Sequence, residues 1–195
     1  MSSQTRPPKS RGPDGRVTRY VALLRGINVG GNKRVAMADL RSALESLGYE
    51  DVSTVLQSGN AVFSAPGGKA SASERSIERV IESRLAMSVK VLVRTGPELS
   101  AIIKANPLPE AVAEPAKLHV AFLSAQPEPG RFESIDASRF EREVFRQDGR
   151  ALYIWYRDGA GSSKLTNAVL ESRLGVTATS RNWNTVTKLA ALANR

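Results

Sequence analysis

Hydrophobic periodicity switches repeatedly along this chain, and the switches mark its elements. The continuous apolar run at residues 20–24 predicts a central strand buried on both faces. Met37, Leu40, Leu44 and Leu47 then repeat at helical spacing, forming one face of a helix that Gly48 ends. Residues 51–56 and 61–64 read as two strands, and the four residues between them suit a hairpin connection. Ile77, Val80, Ile81 and Leu85 give a second helix its buried stripe, with Ser71 and Glu74 at capping-box spacing. Residues 89–93 predict a fourth strand. Thr95 and Glu98 repeat the capping-box spacing before Leu99, Ile102 and Ile103, a short helix that Pro107 stops. The order β-α-β-β-α-β is the split βαβ pattern of a ferredoxin-like plait.

The second half repeats that order. Residues 118–124 predict a strand and residues 132–140 a short helix. Strands at 141–147 and 151–157 join through Asp148-Gly149, a strong hairpin signal. Leu165, Ala168, Val169 and Leu174 mark a helix ended by Gly175. A strand at 176–180 follows, then a last helix lined by Val186, Leu189, Ala190 and Ala193. The expected architecture is α+β, with two ferredoxin-like subdomains packed together. Residues 18–106 form the first and 118–195 the second, joined by a proline-containing linker at 107–117. A disordered basic tail is expected at 1–17.

Charge adds one feature. The net charge is +9, and Arg6, Lys9, Arg11, Arg16 and Arg19 crowd the first 19 positions against Asp14 alone. Such an excess speaks to anionic partners, not to fold. Cysteine is absent, which excludes disulfides, thiolate nucleophiles and thiolate zinc sites, and a reduced cytoplasm is the expected location. No apolar run reaches the length of a membrane span, and no membrane partner is expected.

Three polar stretches interrupt this scaffold. The first carries Arg25, Asn28, Gly30, Gly31, Lys33 and Arg34 between a strand and a helix. Gly26 and Gly31 have the spacing of a phosphate-binding loop, but Asn32 displaces the lysine and no hydroxyl follows it. Free amides, cations and a helix start still favour an anion. The competing reading is a tight glycine turn with solvated cations. The second stretch is Gln57, Ser58, Gly59 and Asn60, either ligand-orienting groups or a hairpin turn. The third holds Arg181, Asn182, Trp183, Asn184 and Thr185; one asparagine there is explained as a helix cap.

LRGINVGG at 24–31, QSGN at 57–60 and RNWNTV at 181–186 together resemble the signature of the family called domain of unknown function 1697. Ser163-Lys164-Leu165 resembles a weaker fourth element. The resemblance implies a pair of ferredoxin-like subdomains and no established activity.

The leading expectation is a pocket for a small phosphorylated or nucleotide-like anion, formed by loops 25–31, 57–60 and 181–185. Arg25 and Arg181 would meet charge, and Asn28, Gln57, Asn60 and Asn184 would orient the ligand. One alternative is a nucleic-acid-binding protein using the basic tail and a stacking face of Tyr153, Trp155 and Arg157. Another is that the motifs only tie the halves together. His119, the sole histidine, reads as structural, Glu74, Glu78 and Glu82 as a solvated stripe, and no cofactor or metal site is implied. The residues select no reaction class.

Overall fold

The computed structural model describes residues 17–28 and 34–195. The expected tail lies outside them, apart from Val17, which already belongs to the first strand. The first sheet comprises β1 (Val17–Leu24), β2 (Glu50–Val55), β3 (Asn60–Pro66) and β4 (Val91–Thr95), all antiparallel in the order β2-β3-β1-β4. Helices α1 (Met37–Glu45) and α2 (Ala70–Leu85) cover one face, packing Leu40, Leu44, Ile77 and Ile81 against Tyr20, Ala22 and Leu24.

The second sheet repeats the arrangement with β5 (Leu118–Leu123), β6 (Glu143–Asp148), β7 (Ala151–Tyr156) and β8 (Ala178–Asn182), in the order β6-β7-β5-β8. Helix α4 (Asn167–Leu174) covers its outer face through Leu170 and Leu174, against Ala121, Leu123 and Ile154. The two inner faces share one core with α3 (Gly96–Lys104) and α5 (Trp183–Ala193). Val21, Leu23, Val120, Phe122, Tyr153, Leu99 and Leu189 all enter it. Both faces of β1 and β5 are therefore buried, which is why neither strand alternates. Two ferredoxin-like subdomains are packed together, as the element order implies.

Local differences have local causes. Thr95 and Glu98 form the expected capping box, but α2 begins one residue before Ser71, after Lys69, with no side-chain cap. The helix expected over 132–140 is two short 3₁₀ turns, Phe132–Ser134 and Ala137–Phe140. There Asp136 accepts from the Ser138 amide, a local bond that competes with helix propagation. Strands β4 and β8 each run two residues beyond the expected ends and take in Arg94 and Arg181.

That extension exposes a pseudo-twofold relation invisible at residue level. Arg94 sits opposite Val21 on β1, and Arg181 opposite Val120 on β5. The next residue caps a helix in each case: Thr95 for α3 and Asn182 for α5. The two capped helices pack together so closely that a Cβ on Gly96 would lie 2.6 Å from the Ala193 carbonyl oxygen.

Candidate functional site

The second and third polar stretches meet beside the end of β1, as a sealed joint. Arg181 is 8% exposed and its guanidinium crosses from β8 to the first subdomain. Its Nε donates to Asn60 Oδ1 (2.5 Å), and Nη2 donates to the carbonyls of Leu24 (2.8 Å) and Gly59 (3.2 Å). Nη1 donates to Thr179 Oγ1 and the Ser180 carbonyl, both at 2.8 Å. Five acceptors thus match the five N–H groups of an arginine. The expectation that Arg181 meets ligand charge is corrected here: it is buried, and every one of its donors is taken by the protein. Burial lowers its pKa to about 10, so the guanidinium stays charged at neutral pH.

Asn60 belongs to the same joint. It is fully buried, and its Nδ2 donates to the Val55 carbonyl and to Ser58 Oγ. Asn60 and Ser58 therefore brace the β2–β3 turn. Gly59 has φ +75°, and a Cβ there would lie 2.7 Å from Ile27 Cγ1, so the turn requires glycine on both counts. Asn182 accepts from the Thr185 amide and hydroxyl as the α5 cap. Asn184 is exposed in the first turn of α5, and its carbonyl accepts from Thr187.

Arg94 mirrors Arg181. It is 1% exposed, and its Nη2 donates to the carbonyl of Leu123, the last residue of β5, as Arg181 does to Leu24, the last residue of β1. Each subdomain thus inserts one arginine across the interface. The sequence carries the signal twice, an arginine near the end of a strand just before a helix-capping residue. A buried strand position is ordinarily apolar, which hides it.

Arg25 takes a different course. Its Nε and Nη2 form a bidentate pair with Glu171 of α4, both at 2.6 Å. Glu171 Oε1 also accepts from the Ala178 amide. Glu78 in the first half accepts from the Val91 amide, and Glu74 from the Val93 amide. Glu74 and Glu78, expected to be solvated, therefore help hold β4, whereas Glu82 is exposed; nothing local in the sequence marks Glu171. An open cavity of about 440 Å³ lies beside Arg25, Lys90 and Glu171.

Asn28 and Gln57 line a second cleft of about 450 Å³ with Arg34, Val35 and Ala36. Asn28, at φ 55°, exchanges bonds with Val35 in both directions: Nδ2 donates to the Val35 carbonyl (3.0 Å), and Oδ1 accepts from its amide (2.9 Å). Its other Nδ2 proton goes to the Gln57 carbonyl (2.8 Å). Asn28 therefore closes the base of the loop and fixes it to the β2–β3 turn. Gly30, Gly31 and Lys33 lie outside the described residues. Beside the cleft, α1 starts at Met37, and the Ala36 side chain before it caps nothing. The single pocket expected from all three stretches does not form among the described residues: Arg25, the Asn28–Gln57 pair and Arg181 serve three separate places.

The aromatic stacking face is corrected as well. Tyr153 is fully buried in the shared core, and its hydroxyl donates to the Ile102 carbonyl of α3 (2.7 Å). Burial raises its pKa to about 12. Trp155 is half-buried at the edge of that core, with Arg157 over its ring. His119 meets the Tyr156 ring edge-on, and burial lowers its pKa. Among the described residues no group of histidines and carboxylates is arranged to hold a metal, and no helix is long and apolar enough to cross a membrane.

Known proteins resemble this arrangement. The solved structure of the conserved bacterial protein SP0830 from Streptococcus pneumoniae matches with a TM-score of 0.68 at 24% identity, covering 91% of this chain and 99% of that one. At that identity the likeness shows the fold. No curated protein matches the chain. The family described as protein of unknown function DUF1697 matches residues 17–153, more than half of the sequence. The chain therefore belongs to the DUF1697 family, with two fused ferredoxin-like halves locked by a reciprocal pair of buried arginines.

Proposed function

We propose that the protein binds a small phosphorylated anion in the cleft between Asn28, Arg34 and Gln57. The observation that carries this reading is the uncapped start of α1 opening beside that cleft. Ala36 offers its first-turn amides no side-chain acceptor, and Arg34 adds an exposed guanidinium. Amides that the N-cap side chain leaves uncapped, the positive end of the helix dipole and a guanidinium suit a phosphate. The Gln57 carboxamide supplies both a donor and an acceptor at the rim. Arg181 and Asn60 act indirectly, by holding the β2–β3 turn that carries Gln57.

A thermal-shift panel of inorganic phosphate, pyrophosphate and sugar phosphates tests the reading. A ligand at about 100 times its Kd adds about 2.7 kcal/mol to folding stability, an easily read shift. The Arg34→Ala/Gln57→Ala variant should lose that shift without a change in its own melting point. Absence of stabilisation by every compound, or full stabilisation of the variant, would remove the proposal.

A further inference from the structure

A third, larger cleft of about 590 Å³ lies on the outer side of the second subdomain, away from the shared core. Its rim carries three cations from three segments: Arg139 from the second 3₁₀ turn, Lys164 from the loop before α4, and Arg173 from the last turn of α4. All three are exposed, and none is ion-paired among the described residues. The one carboxylate lining the cleft, Asp136, accepts from the Ser138 amide and hydroxyl as a turn cap. The charge balance of the rim is therefore positive.

The setting of these cations is ordered. Lys164 lies between Ser163 and Leu165, where Ser163 Oγ donates to Glu143 and accepts from the Leu165 amide. Leu165 is 1% exposed, and the Lys164 carbonyl accepts from the Thr166 amide. The α4 end that bears Arg173 is closed by Gly175, whose amide donates to the Glu171 carbonyl (2.9 Å). The wall is apolar: Ala168 and Val169 on α4 face Phe140, whose ring meets Phe145 edge-on. The volume falls within the range of small-molecule sites, and an apolar wall beside a few convergent charges is their usual build.

We propose that this cleft binds a phosphate monoester bearing a planar aromatic group, the nucleoside monophosphate class. The phosphate sits among Arg139, Lys164 and Arg173, and the ring lies along Phe140 and Val169. The site is independent of the Asn28–Gln57 cleft.

Calorimetric titration of the full chain with AMP, ribose 5-phosphate and adenosine tests this. AMP should saturate below about 5 mM, ribose 5-phosphate should bind more weakly, and adenosine should not saturate. Lys164→Ala/Arg173→Ala should weaken AMP at least about tenfold, the scale of one lost charge-assisted hydrogen bond. Arg34→Ala/Gln57→Ala should leave the part of AMP binding that depends on Lys164 and Arg173 unchanged, which separates this site from the other cleft. Amide resonances of Ala168, Val169 and Ser172 in the unmodified chain should shift on adding AMP, a readout needing no variant. No saturation by AMP, equal affinity in the Lys164→Ala/Arg173→Ala variant, or shifts confined elsewhere would overturn the assignment. Binding only of a long RNA strand would also overturn it, pointing to a charged surface in place of a pocket.

Discussion

Replacing Arg181 with methionine is the sharpest perturbation the architecture offers. Methionine retains much of the aliphatic length but removes all five donors. Of the acceptors left behind, Gly59 O still accepts from the Leu24 amide. Asn60 Oδ1 and Leu24 O, both on the first subdomain, lose the bonds that tie them to the second. Each buried acceptor without a partner costs about 1–3 kcal/mol, at the upper end when the lost donor was charged. Two such acceptors, each having lost a charged donor, put the expected loss at about 3–5 kcal/mol. For a chain of this size that lowers Tm by roughly 6–20 °C. Urea unfolding with linear extrapolation measures it directly. Arg181→Lys should fall between, because an ammonium keeps the charge but not the planar fork. A double-mutant cycle with Asn60→Ala should return a coupling of about 1 kcal/mol or more. If Arg181→Met unfolds within about 1 kcal/mol of the parent chain, the reasoning fails, since the joint would then contribute little net stability.

Other predictions follow from single contacts. Gly59→Ala must hold φ +75° with its Cβ against Ile27, and should lower stability by about 1–3 kcal/mol in the same urea assay. Arg25→Ala should cost under about 1 kcal/mol because the ion pair is part-exposed, whereas Glu171→Ala should cost more, leaving the Ala178 amide without its acceptor. Equal losses would contradict that asymmetry. His119, the sole imidazole, should titrate below 6.5 by NMR because burial disfavours its cation, against the opposing pull of the Lys117 carbonyl. A lowered folded-state pKa means the unfolded chain binds the proton more readily. Stability should therefore fall as pH drops through 6.5 toward the folded-state value, and His119→Phe should lack that slope.

What the sequence determined by itself was the scaffold. Runs such as residues 20–24, the helical spacing from Met37 to Leu44 and the capping pair Thr95 and Glu98 are local signals, readable because strand and helix periods differ. The duplicated element order followed from them, and so did the three polar stretches as features to be explained. Tertiary structure decided what those stretches do. An arginine donates to whatever oxygens lie near it, and Leu24, Asn60 and Arg181 become neighbours only when two sheets pack face to face. The same packing buried Tyr153 behind α3, while the fold of the second subdomain alone gathered Arg139, Lys164 and Arg173 around one cleft. Period reports which face of an element is apolar; it carries no information about which other element covers that face.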